Sequence, residues 1–220
     1  AFDCDSSMLE EFFPSYEIVN FGMYAGLGTK AVLDLSEAYI HEGDIVILSP
    51  EQSEQTLSDY FNGEYMWQAV DGAFGMLRDI KSENFETMLG NFPGFAFEKL
   101  KYVLKGQTPQ TDSVYQKKSF NEYGDIDLDV CRENVLPQGY DINQKIRFDE
   151  DVVQSEFLEY INDWAGRLEE AGALVWYRYC PSNVLAVEDT KAVTSYDAFL
   201  RQELDFPIIG NPANSLMEAE

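Results

Sequence analysis

Apolar positions recur along the chain at two different periods, and the switch between them outlines the fold. SSMLEEFF (residues 6–13) reads as a short helix capped by Ser6 or Ser7 and stopped by Pro14. EIVNFGMY (17–24) reads as a strand. TKAVLDLSEAYI (29–40) follows at helical spacing, with Thr29 as N-cap and Val32, Leu35, Tyr39 and Ile40 on one face. After Gly43 comes the unbroken apolar run Ile45, Val46, Ile47 and Leu48, the pattern of a strand buried on both faces of a parallel sheet.

Residues 53–106 are mostly helical in pattern, with NFPGF as a turn before a last helix, FAFEKLKYVLKG (95–106), ended by Gly106. Residues 107–150 are rich in turn formers and predict a long excursion at the sheet edge. Regular order then returns. Val153, Phe157, Ile161, Trp164 and Leu168 form one helical stripe ended by Gly172. ALVWYRYC predicts a buried strand, SYDAFLRQEL a helix capped by Ser195, and DFPIIG a short strand. The order β-α-β, two helices, loop, α-β-α-β predicts a single α/β domain over 1–220. Its architecture is a three-layer α/β/α sandwich with a mostly parallel, flavodoxin-like sheet, and 53–150 is a helical and loop insertion.

Charge narrows the partners. Forty acidic and 15 basic residues give a formal net charge of −25. Such a surface repels nucleic-acid phosphates and anionic lipids. No apolar stretch is long enough for a membrane span, and no leader peptide is read at the N-terminus. Cys4, Cys131 and Cys180 lie far apart, without the paired spacing of a zinc site. The single histidine, His41, falls before the second strand, the wrong end of a parallel sheet for chemistry, so no Ser-His or Cys-His pair is assembled. Cys180 reads as a small buried hydrophobe. Asp125, Asp127 and Asp129 in GDIDLDV read as a solvated loop, because the glycine and glutamate of a calcium-binding loop are out of register. No metal or other cofactor is expected.

Three glycines, Gly22, Gly26 and Gly28, sit at the junction of the first strand and the second helix. Their spacing fits neither a P-loop nor a dinucleotide fingerprint. They either free backbone N–H groups to hold a phosphate or an oxyanion, or simply let the chain turn and pack closely. The second strand ends in LSPEQ, which places Ser49 and Glu51 where a parallel sheet opens its crevice; the third ends in YCPSNV, which brings Asn183 toward the same edge. Gly22, Gly26, Ser49, Glu51 and Asn183 are therefore the pocket candidates.

NFGMYAGLGTKAVLDL followed by GDIVILSPEQ, with SFNEYGD, VWYRYCPSNV and FPIIGNP further on, resembles the SGNH (GDSL-type) hydrolases, in particular a bacterial branch related to cell-envelope acyl transfer proteins. The resemblance implies a flavodoxin-like sandwich that cleaves or transfers acyl esters of cell-surface carbohydrate through a Ser-Asp-His site, outside the cytoplasm. It places an oxyanion donor on Gly22 or Gly26 and a further donor block near Ser49 to Glu51, where SPEQ stands in place of the family's G-x-N-D. It puts the catalytic serine before Ala1 and the Asp-x-x-His after Glu220. A sheet lacking that first strand would expose unpaired backbone and favour self-association through its edge. The alternatives are a non-catalytic domain binding carbohydrate or peptide, and a nucleotide or flavin binder, which the acidic charge disfavours.

Overall fold

The computed structural model describes residues 5–106, 119–126 and 145–218. The fold is mixed α/β and divides into two compact units. One comprises Ala1–Leu27 with Asn62–Pro137, the other Gly28–Phe61 with Gln138–Glu220. Asp127, Asp129, Cys4, Cys131 and most of the expected 107–150 excursion lie outside the described residues.

The first unit is helical: α1 (Ser6–Phe12), α3 (Gly63–Val70) and α4 (Ser82–Lys105). The intervening α2 (Thr29–Glu37) belongs to the second unit. The Asp5 carboxylate caps α1, accepting from Met8 N at 3.0 Å. Asn62 caps α3 through Glu64 N and Tyr65 N. α4 corrects the expected turn at NFPGF, because the helix runs straight through Pro93. Proline removes one helical hydrogen bond. Packing offsets this loss: the Trp67 ring lies against Phe92 and Phe95, with centroids 4.9 and 5.9 Å away, and so grips the turns on both sides of Pro93. Trp67 Nε1 also donates to Met88 O at 2.5 Å. Gly106, in the left-handed region, closes the helix as its spacing predicts.

Residues 17–24 form no strand, contrary to their β-like composition. The backbone here finds other partners. Asn20 N donates to Tyr123 O, the Asn20 side chain accepts from Gly22 N at 2.9 Å, and its amide donates to Asp125 Oδ1 at 2.8 Å. An asparagine that satisfies its own neighbours draws the chain away from a ladder. Asp125 is likewise not in a solvated loop; it is 3% exposed and held by these bonds.

The second unit holds the sheet. β1 (Ile45–Leu48) pairs with β2 (Leu174–Tyr177) in parallel, with Ile45 opposite Leu174 and Leu48 opposite Tyr177. Tyr177 continues the parallel ladder to Ile208, through Tyr177 N to Pro207 O and Ile209 N to Tyr177 O. A separate parallel pair joins β3 (Ser182–Asn183) to β4 (Leu216–Met217). Around them lie α2, α5 (Ser155–Glu170) and α6 (Ala192–Glu203).

The core matches the predicted stripe. Val153, Phe157, Ile161, Trp164 and Leu168 are all buried, against Val175 and Tyr177 of β2. Trp164 Nε1 donates to Leu33 O at 3.1 Å, so the buried indole is satisfied. Three expectations shift. α2 buries Ala31, Leu33, Asp34 and Leu35 and leaves Tyr39 exposed. The cause is polar: Asp34 accepts from the Tyr160 hydroxyl at 2.7 Å and pairs with Lys30 at 3.3 Å, which turns that face inward. The sheet is not buried on both faces. Val175 and Tyr177 point into the core, whereas Ile47 and Leu174 are 50% and 52% exposed. Finally, α6 begins at Ala192, ahead of the expected Ser195 cap.

Candidate functional site

The chain leaves β1 at its carboxyl end and folds over residues 49–61 into a compact polar loop. Ser53 N donates to Glu51 O at 3.0 Å, and Thr56 N and Leu57 N both donate to Ser53 O. The Thr56 hydroxyl reaches the Glu51 carbonyl. Two helix starts then fix the loop. The Thr29 hydroxyl, at the first turn of α2, donates to Thr56 O at 2.8 Å, and Lys30 N donates to Tyr60 O at 3.2 Å. Gln154, the N-cap of α5, donates its N–H to Leu57 O at 3.1 Å. Leu57 is sunk in the core and anchors the loop from below.

This arrangement leaves a cleft of about 400 Å³ lined by Glu54, Gln55, Ser58, Tyr60 and Gln154. Tyr60 is 40% exposed. The buried Ser58 hydroxyl donates to Gln55 O at 3.2 Å. One carboxylate, two carboxamides, a hydroxyl and an aromatic ring thus share the walls, and none of the five side chains is cationic. Such walls offer donors and acceptors together with a flat apolar surface. They offer nothing to neutralise a phosphate.

Gly28 explains the approach of α2 to this loop. It adopts φ +92°, and a Cβ there would fall 2.0 Å from the Tyr60 carbonyl oxygen. The glycine therefore serves close packing, and the Lys30 N–H of the first turn is spent on Tyr60 rather than left to an anion. Gly26 is also a packing position: a Cβ would strike the Tyr24 ring at 2.5 Å and the Tyr65 ring at 3.0 Å, and those rings meet edge to face. Gly22 lies in the Asn20 turn.

The sequence candidates divide between the units. Gly22 and Gly26 belong to the first; Ser49, Glu51 and Asn183 belong to the second. Ser49 and Glu51 are exposed just past β1, and Glu51 shapes the loop through its carbonyl, but neither lines the cleft. Asn183 sits in β3, where its Oδ1 accepts from Leu185 N at 3.0 Å while its buried Nδ2 has no hydrogen-bond partner among the described residues. The five cleft-lining residues are not among the sequence candidates, although a signal for them is present: EQSEQ, a run of acids and amides, closely follows the strand end.

A half-buried polar array braces the same unit. The Tyr179 hydroxyl donates to Asp197 at 2.9 Å, and Arg201 holds Asp197 while donating to the carbonyls of Ile208 and Gly210. Burial, reinforced by Asp197, pushes the Tyr179 hydroxyl far above its ordinary pKa. Burial likewise pushes Tyr196 up to about 12. Tyr160 rises through burial and then the Asp34 carboxylate. These groups are structural acids, held neutral. His41, with its imidazole 77% exposed, stands beside Asp44 ahead of β1, away from the strands' carboxyl ends. Cys180 is half-buried.

Among the described residues, no group of three or more His, Cys, Asp or Glu side chains is placed to hold a metal ion. No helix among them is long and apolar enough to cross a membrane. No family model, curated protein or solved structure matches the chain.

Proposed function

We propose that this chain is an SGNH hydrolase-like α/β protein that uses the cleft after β1 to bind a neutral carbohydrate, acylated ones included. One observation carries the reading: the exposed Tyr60 shares a cleft with Glu54, Gln55 and Gln154, and none of the described residues lining it is a cation. Sugar rings stack their C–H faces on aromatics and exchange hydroxyl hydrogen bonds with amides and carboxylates. A phosphorylated or otherwise anionic ligand would meet a carboxylate on a protein of net charge −25.

The placement of the cleft supports the same reading. Parallel α/β sheets bind ligands outside the carboxyl ends of their strands, and the 49–61 loop occupies that end of β1. In a flavodoxin-like three-layer arrangement, a second helical layer would cover Ile47 and Leu174. Acyl ester cleavage, the activity of the resembled family, is the second reading. Ser58 lines the cleft, but none of the other four lining residues is a histidine that could take its proton. Binding therefore takes precedence over hydrolysis. Titration of neutral oligosaccharides and their O-acetylated forms into the protein, alongside a short-chain nitrophenyl ester assay, separates the two readings.

A further inference from the structure

One charge in the cleft after β1 stands without a counter-charge. Among the described residues, the Glu54 carboxylate makes no hydrogen bond and no ion pair. Other acids of the same unit are matched: Asp34 by Lys30, Glu37 by Arg167, Asp149 by Arg147 and Asp197 by Arg201. Those four cations are committed elsewhere, and none of the other lining side chains is basic. The Gln154 carboxamide is also unspent, since it heads α5 without making a side-chain cap. Ser58 spends its proton on Gln55 O, so its oxygen is left as an acceptor.

Walls so rich in acceptors favour a ligand that donates. An ammonium group has three donors and no acceptor. It gains from a carboxylate and from an aromatic ring, and Tyr60 supplies the ring beside Glu54. The net charge of −25 draws cations toward the surface. A hard metal cation is the poorer occupant, because calcium takes six or more oxygens and a single carboxylate stands here.

We propose that the cleft prefers a saccharide bearing a free amine, with Glu54 as the residue that sets this preference; the proposal rests on the carbohydrate reading of the cleft. The sugar ring lies on Tyr60, its hydroxyls meet Gln154 and Ser58, and its ammonium pairs with Glu54. N-acetylation removes the charge and with it the pairing, while the hydroxyls and the ring face remain. The two gains are each modest. An exposed ion pair multiplies affinity by at most about fivefold, and a cation beside an exposed tyrosine by a similar factor. A preference of about fivefold for the amine over its acetylated form is therefore expected.

Isothermal titration of the full chain at about pH 5.5, where a primary amine is protonated, tests this. The probes are the glucosamine trimer with free amines, its N-acetylated form, and spermidine, which carries amines without a sugar ring. The wild type is expected to bind the free-amine trimer about fivefold more tightly than the acetylated one, and spermidine more weakly than either. Glu54→Gln, with an unchanged far-UV spectrum, is expected to bind the two trimers equally. Glu51→Gln removes a charge that does not line the cleft and is expected to keep the preference. Two trimers bound equally by the wild type overturn the proposal and leave the carbohydrate reading standing. A preference that survives Glu54→Gln, or that Glu51→Gln abolishes as well, belongs to the overall negative charge and also overturns it. So does spermidine bound as tightly as the free-amine trimer. A wild type that binds neither trimer overturns both the proposal and the carbohydrate reading beneath it.

Discussion

Ser6 and Asp125 are joined twice, the Ser6 N–H and hydroxyl donating to the two Asp125 carboxylate oxygens at 2.7 and 2.9 Å across 119 positions of sequence. Ser6 is the first residue of α1, so the carboxylate also sits where the helix dipole favours a negative charge. The Asn20 amide completes the site. Asp125→Ala removes the acceptor of three hydrogen bonds from buried or half-buried donors. A buried unmet donor costs about 1–3 kcal/mol. Urea unfolding should therefore show the first unit losing about 3 kcal/mol, and Asp125→Asn less, because its carbonyl keeps one acceptor.

Two glycines in the second unit should respond in opposite directions. Gly28→Ala meets both a left-handed φ of +92° and a carbonyl oxygen 2.0 Å from the new Cβ. Its expected cost is upward of about 2 kcal/mol, together with displacement of the Tyr60 loop. Gly166, inside α5, has open space where a Cβ would stand. Gly166→Ala should stabilise the protein by about 0.5–1 kcal/mol, from the helix propensity difference. Thermal melting of the two variants compares them directly.

The buried tyrosines predict a steep alkaline transition. Tyr160, Tyr177, Tyr179 and Tyr196 are all raised above the ordinary value of 10.0, chiefly by burial, and Tyr196 to about 12. A raised folded-state pKa means that the folded chain holds the proton more tightly than the unfolded one. The associated stability is fully present below pH 10 and is lost as pH rises from 10 toward 12 and beyond. Tyrosinate absorbance should therefore rise first for the exposed phenols. The buried ones should then ionise together with the loss of near-UV dichroism, in one cooperative step.

Much of the second unit is legible in the residues. The stripe from Val153 to Leu168 has a strict helical period, and the runs at 45–48 and 174–177 lie where parallel strands form. Burial on one face only is hidden in β1, because Ile45–Leu48 is apolar at every position while its two faces differ in exposure. Residues 17–24 mislead for a local reason: Asn20 is one polar residue in a strand-like run, yet its side chain redirects the backbone. Pro93 misleads for a tertiary one, since the rings that hold the helix across it include Trp67, from another element. The cleft escapes detection because Gln154 stands about a hundred positions after Glu54, Gln55, Ser58 and Tyr60, and only folding unites them.

Isothermal titration of neutral oligosaccharides into the wild type and Tyr60→Ala tests the central claim most directly. The Tyr60 carbonyl accepts from Lys30 N, and alanine keeps that carbonyl; with an unchanged far-UV spectrum as the check on folding, the variant should lose at least tenfold in affinity. Gln154→Ala should also weaken binding. Equal affinity in Tyr60→Ala and wild type, or a wild type that binds no neutral glycan, contradicts the claim.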